Sequence, residues 1–463
     1  MKRILFFCLI GLVVINSSCK KNGVAKSPAQ TLTANKSLFA TGNQFFKWAK
    51  IVPSLTDILD MQIDGDGNIY YLNQGSNNVG TPEFPNTVYY STILKLDTAG
   101  SLVWQKTLPE IVYKMVLDVK GNVYCYGTEL ADDYNTSFKY SEVLHKFDTD
   151  TGTESLTKVV ASGVSGFGKT ATDIDDIGVD GNGNIFFVGA YLNGADIDPG
   201  PGVCLTTGNG AFYLKLNADG STAFVTPNTL KTGLKSAKLC VGLDGSVAFA
   251  GLAEINGTTH VEAEAYKSNG VFAWSKSIDL LKPNAGGLKF MNYNGKDFYL
   301  GVGYIFNISV AYQYTIYKID KGGNLIYQAN IASGIPRNSM AVDPNGNVYF
   351  TGYFTKGSNN LSPDFDPRAS EYRLVPPLGS DMYIDQYDAG GNFRGAVCFH
   401  STTSAYQNDV GKSIIADKKG NLYFSGIFDN PIDFDPTLGV NILTPANIGT
   451  QQVFLVKLSQ FNP

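Results

Sequence analysis

Histidine is nearly missing from this chain, with three in 463 residues: His145, His260 and His400. No HExxH helix and no GxSxG elbow accompanies them, so a zinc peptidase or a serine-triad hydrolase lacks its parts. They are read as core or surface residues. Basic runs are also missing: beyond Lys20-Lys21 no Lys/Arg cluster stands out, and the net charge is -5. A nucleic-acid partner, which needs a concentrated basic face to displace counterions, is excluded on that ground. The six cysteines show no CxxC spacing. Cys125, Cys240 and Cys398 sit in or beside apolar strand patterns and read as small hydrophobes; Cys204 with Cys240 is the one pair worth checking for a disulfide. After the first fifteen residues no apolar run approaches the roughly 20 needed to span a bilayer as a helix. Helical periodicity is missing throughout.

What is present is repetition. The pattern "apolar, Asp, turn, Gly-Asn, aliphatic, Tyr/Phe" occurs seven times, starting at Met61, Met115, Ile177, Val241, Met291, Met340 and Ile414. A second motif alternates with it, a short strand ended by an Asp/Gly turn, as in Ile93-Leu94-Lys95-Leu96-Asp97 with Gly100. Its relatives end near Asp148, Leu216, Lys267, Asp320, Asp388 and Leu458, which again makes seven. With a further strand after each, one repeat is four short strands, A to D. Such units cannot bury both faces alone, and packing them around a ring solves that. The expectation is all-β, a seven-bladed β-propeller of four-stranded antiparallel blades. The seventh repeat has A, B and C but no D before Pro463. Phe45 to Val52 matches the D strands, so the N-terminal strand should pair with the C-terminal three and close the ring.

The N-terminus reads separately. Lys2 and Arg3 precede the apolar run Ile4 to Ile15, and Asn16-Ser17-Ser18 lead into Cys19. This resembles a bacterial lipoprotein signal, although Asn16 stands where such signals usually carry Leu. The resemblance implies lipidation at Cys19. The chain divides into a signal at 1–18, a flexible tether at 19–43 and the propeller at 44–463. The repeats ("D..GN.Y..G", then "DFDP", then "KLD..G") resemble the bacterial exported β-propeller repeat family (SBBP-like repeats), from Phe45 to Leu458. That resemblance implies the fold and an exported address, and says little about a ligand.

Strand order places A–B and C–D turns on one face of the disc, where they are uniformly tight. The long, varied B–C and D–A connections fall on the other, which is the candidate binding face. The candidate contact residues there are the loop aromatics Tyr89, Tyr90, Tyr191, Tyr353 and Tyr372, suited to a sugar ring or a peptide. Three B–C loops share an Asp-X-Asp-Pro device: Asp196 and Asp198, Asp364 and Asp366, Asp433 and Asp435. Paired carboxylates suit Ca²⁺ if other oxygens complete 6–8 positions; the structural alternative, which the recurrence favours, is a turn device with Phe365 or Phe434 plugged between blades. Three tryptophans cannot furnish a full ring of quinoprotein repeats. No catalytic residue is assigned and no cofactor is expected apart from that Ca²⁺. The reading is a monomeric, non-catalytic cell-envelope lipoprotein, attached to the outer membrane by its lipid anchor alone, with the side open. It serves as a platform for a protein or glycan. The alternative is a hydrolase or lyase acting on polysaccharide in the central depression.

Overall fold

Each repeat folds into its own antiparallel sheet of four strands, paired in the order A-B-C-D. The computed structural model describes residues 45–459 apart from 54, 56, 79–86, 132–137, 166–171, 228–234, 256, 281–284, 307–310, 358–360, 369, 375–378, 400, 402–407 and 438. The expected signal and tether, Cys19 and His400 lie outside the described residues. Blade 1 comprises Asp60–Ile63, Ile69–Asn78, Thr87–Leu96 and Leu102–Leu108; blade 2 comprises Ile111–Leu117, Asn122–Ala131, Phe138–Asp148 and Glu154–Ser165. Blade 3 is Thr172–Val179, Ile185–Tyr191, Gly210–Leu216 and Thr222–Pro227; blade 4 is Lys235–Val241, Val247–Ile255, Thr258–Tyr266 and Phe272–Asp279. Blade 5 is Ala285–Tyr293, Asp297–Phe306, Ala311–Asp320 and Leu325–Ile331; blade 6 is Arg337–Val342, Val348–Thr355, Ser380–Tyr387 and Phe393–Phe399. Blade 7 takes Val410–Ala416, Leu422–Phe428 and Gln452–Leu458 from the C-terminal end and Phe46–Val52 from the other.

The closure is antiparallel, with Ala49 opposite Val456 and Ile51 opposite Phe454. Among the described residues seven buried apolar clusters make up the core, and each draws on two neighbouring blades. The seventh joins Tyr423, Ile427 and Val453 of blade 7 to Met61, Ile69 and Leu94 of blade 1. A strands are innermost, each touching the A strand of the next blade, blade 7 to blade 1 included. The fold is a closed seven-bladed β-propeller.

The first sequence motif is explained by one carboxylate. Asp64 Oδ1 accepts the N–H groups of Asp66 (3.0 Å) and Asn68 (2.9 Å). Its Oδ2 accepts from Asn68 Nδ2 (2.8 Å) and from the Tyr70 hydroxyl (3.1 Å). The same hub recurs at Asp118 with Lys120, Asn122 and Tyr124, and at Asp343 with Asn347 and Tyr349. Asp180 and Asp417 form it through Asn184 and Asn421. Gly67 fits the third place after the Asp because its φ is 92°, a region that L side chains enter at a cost.

The second motif joins blade to blade. The strand-C lysine lies over the strand-B ring: Lys95 over Tyr70 (5.6 Å), Lys146 over Tyr124 (5.3 Å), Lys215 over Phe186 (5.1 Å), Lys318 over Tyr299 (5.2 Å), Lys457 over Tyr423 (4.9 Å). Such contacts contribute about 0.5–2 kcal/mol each. Four of these amines also donate to a carbonyl in the C–D turn of the next blade, at Thr149, Ala218, Ser268 and Ala389. Trp104 Nε1 reaches the same Thr149 carbonyl at 2.7 Å, and Trp274 Nε1 donates to Lys321 at 2.8 Å. The repeated residues are therefore architectural.

Candidate functional site

The loop-rich face carries three small hairpins built on the Asp-X-Asp-Pro sequences. In each, the first Asp accepts the N–H two residues on and the N–H eight residues on. Asp196 bonds Asp198 and Cys204, Asp364 bonds Asp366 and Tyr372, and Asp433 bonds Asp435 and Asn441. The second Asp caps the following turn: Asp198 accepts from Gly200, Asp435 from Thr437, and Asp366 from both the backbone and the guanidinium of Arg368. Hydrogen bonds from Arg368 hold the Asp366 carboxyl down to about 2. Between the two carboxylates the apolar residue is sealed in, with Ile197 2% exposed and Phe365 and Phe434 fully buried. These six Asp residues thus fold the hairpins, and the three hairpins stand on blades 3, 6 and 7.

The aromatic candidates do not converge. Tyr89 and Tyr90 lie on strand C of blade 1 and Tyr353 on strand B of blade 6, because those strands run further than the turn signals suggest. Tyr191 is buried against Gly210. Tyr372 donates its hydroxyl to Ala396 at 2.9 Å and packs on Phe393. Tyr89 alone of the five is exposed. Cys204 and Cys240 are both free thiols, so that pair forms no disulfide, and Cys125 is a free thiol as well. His145 is buried in blade 2 with Nδ1 2.7 Å from Glu154, and His260 sits beside Asp279 at 3.0 Å.

Two buried polar groupings escape the sequence reading. At the junction of blades 6 and 7, on the loop-rich side, the start of strand C (Ser380, Asp381) meets the start of the next strand A (Asp409). Asp409 N–H donates to the Ser380 carbonyl at 3.2 Å, and Ser380 Oγ donates back at 3.3 Å. The Asp429 N–H reaches Asp409 Oδ1 at 3.3 Å. Asp381 and Asp409 are both fully buried. Burial pushes the Asp381 carboxyl up to about 8; burial and then the charges of Asp381 and Asp429 push Asp409 to about 8. The second grouping is the ion pair Arg337–Asp385, at 2.6 Å with neither side chain exposed. Its signal was in the repeats: Asp385 stands where other blades have Leu94, Leu214 and Val456, and Arg337 where they have Ile58, Val112 and Ile174.

Around the axis, the ladder between strands A and B slips in blades 2 to 7, as between Val112 and Lys114, Ile174 and Asp176, and Gly411 and Ser413. The extra residue stands out of the ladder, and Tyr113, Lys289 and Asn338 are exposed there. The neighbouring residues staple adjacent blades. Lys114 pairs with Asp176, Asp60 Oδ2 accepts the Met115 N–H (3.1 Å), and Asp176 Oδ2 accepts the Leu239 N–H (2.9 Å). Burial pushes the Asp60 carboxyl up to about 6, against the pull of Lys114.

No protein-family model matches the chain, and no curated protein matches it. The likeness to exported propeller repeats therefore remains one of motif. Solved structures are similar in fold. Acylaminoacyl peptidase from Pyrococcus horikoshii aligns over 84% of this chain at 12% identity with a TM-score of 0.45, and this chain covers 52% of that one. The β-propeller domain of the Trilobed protease from Pyrococcus furiosus aligns over 90% of this chain and 97% of its own, at 9% identity and a TM-score of 0.44. The GH43 endo-arabinanase from Bacillus licheniformis covers 62% of this chain and 99% of its own at 10% identity, with a TM-score of 0.29. These likenesses concern the fold and transfer no site.

Proposed function

We propose that the protein is a non-catalytic binding platform of the cell envelope, lipid-anchored at Cys19, that holds a protein partner on its loop-rich face. One observation carries this reading. The Asp-X-Asp-Pro hairpins present equivalent positions outward, seven and nine residues after the first Asp. In blade 3 these are Val203 (72% exposed) and Leu205 (65%); in blade 7 they are Val440 (72%) and Ile442 (49%). In blade 6 the same positions hold Glu371 and Arg373, an ion pair at 3.3 Å. Aliphatic pairs held in water by a rigid hairpin favour a protein surface over a glycan, which usually demands exposed rings and hydrogen-bonding groups.

Site-specific photocrosslinking on intact cells tests it. A photoreactive residue at Ile442 should give a discrete protein adduct that Val440→Asp abolishes, while one at Asp66 on the tight-turn face should give none. Equal labelling from both faces, or steady product release from a glycan or peptide, would sink the proposal.

A further inference from the structure

We propose that the buried carboxylates of Asp381 and Asp409 bind a calcium ion between blades 6 and 7. The site goes beyond the partner surface and uses none of the Asp-X-Asp-Pro carboxylates. Three oxygens define it: both of Asp381 and Oδ2 of Asp409 are buried without a hydrogen-bond donor. Two strand starts hold the residues together, through the Asp409 N–H to the Ser380 carbonyl, the Ser380 hydroxyl to the Asp409 carbonyl, and the bridge between Ser380 and Asn408. Asp429 adds negative charge beside Asp409, and its own Oδ1 is occupied by Asn430 Nδ2 at 2.7 Å. No described Lys, Arg or His forms an ion pair with Asp381 or Asp409.

A buried acceptor with no donor is costly, and two adjacent ones repel. Only a cation or protons relieve both terms. A donor set made of carboxylate oxygens suits a hard cation. Among the described residues no group of three or more His, Cys, Asp or Glu side chains is set to hold a metal. The two carboxylates would supply part of the shell, with backbone carbonyls and water needed for the rest of the 6–8 positions that calcium takes. The ion would tie the start of the first strand of blade 7 to the third strand of blade 6.

Calcium chloride is the probe. The full-length protein, purified in detergent and stripped with chelator, should bind one equivalent by isothermal titration and by elemental analysis after dialysis. Its melting temperature should rise by about 3 °C at a hundredfold excess over Kd. Asp381→Asn and Asp409→Asn keep the side-chain shape and should each abolish the bound equivalent and the rise. Asp196→Asn/Asp198→Asn, in the blade 3 hairpin, should leave both intact. No calcium bound by the wild type means protons neutralise the pair and overturns the proposal. So does binding that survives in Asp409→Asn or disappears with the blade 3 variant. Should a junction variant fail to fold, the wild-type stoichiometry and the blade 3 control decide alone.

Discussion

Arg337→Met is the substitution whose consequences the structure specifies most fully. Arg337 lies between the rings of Tyr314 and Phe350 (5.6 and 5.3 Å) and donates to Asp385 at 2.6 Å. It also donates to the carbonyls of Ala332 (3.0 Å) and Ile335 (3.2 Å). Methionine fills much of the volume and supplies none of these donors. Removing one partner of a buried ion pair costs about 3–5 kcal/mol. The orphaned Asp385 then escapes part of that by taking a proton. Burial already pushes its carboxyl up, and without Arg337 nothing comparable opposes burial. The folded carboxyl then titrates above the unfolded one, so stability is best at low pH and falls as pH rises, by about 1.4 kcal/mol per unit at most. Urea unfolding at pH 5 and pH 8 should show the variant much weaker than wild type at pH 8 and closer to it at pH 5. The double variant Arg337→Met/Asp385→Leu should recover most of the loss, because other blades place Leu94 and Leu214 at that position and a well-packed apolar replacement is often neutral or better. A single variant within about 1 kcal/mol of wild type at pH 8, or a double variant no better than the single, would refute the reasoning.

Two further outcomes follow from the packing. Gly152→Ala and Gly194→Ala both place a side chain at positive φ (67° and 80°), but only the first drives a Cβ to 2.9 Å from the Trp104 ring. Chemical denaturation should find Gly152→Ala worse by about 1–3 kcal/mol, and equal losses would mean that Trp104 is no inter-blade contact. Asp60 keeps its proton up to about 6 in the fold, against an ordinary value of 3.8. Its contribution is full below the unfolded value and lost as pH rises through 6. Melts from pH 4 to 7 should therefore show wild type losing stability relative to Asp60→Asn, and parallel curves would contradict this.

Blade number, strand order and ring closure were legible because the repeat is physical. Asp64, Asp118 and Asp343 each gather the same turn, so the motif that marks the sequence is also the motif that folds. The same logic hid the site. Tyr89 and Tyr90 read as loop, yet the strand-B ladder continues through Asn78 opposite Thr87 and carries both tyrosines on strand C. Tyr191 and Tyr372 carry no sign in sequence of the packing that covers them. Asp381 and Asp409 lie 28 positions apart in sequence, and only the backbone pairing of two adjacent blades brings them together. The hairpin tips were visible as Asp-X-Asp-Pro, but which side chains they project depends on an eight-residue hydrogen bond that no local propensity encodes.

Ring closure by the N-terminal strand fixes which loops share a face, and a designed cross-link tests it directly. Cysteines replacing Ala49 and Val456, which face each other across the closing pair, should oxidise to an intrachain disulfide. Peptide mapping would find the two segments joined, and chemical denaturation would find the oxidised protein more stable than the reduced. Failure of residues 49 and 456 to join within one folded chain under excess oxidant, with both thiols recovered by alkylation after unfolding, would contradict closure and with it the assignment of faces.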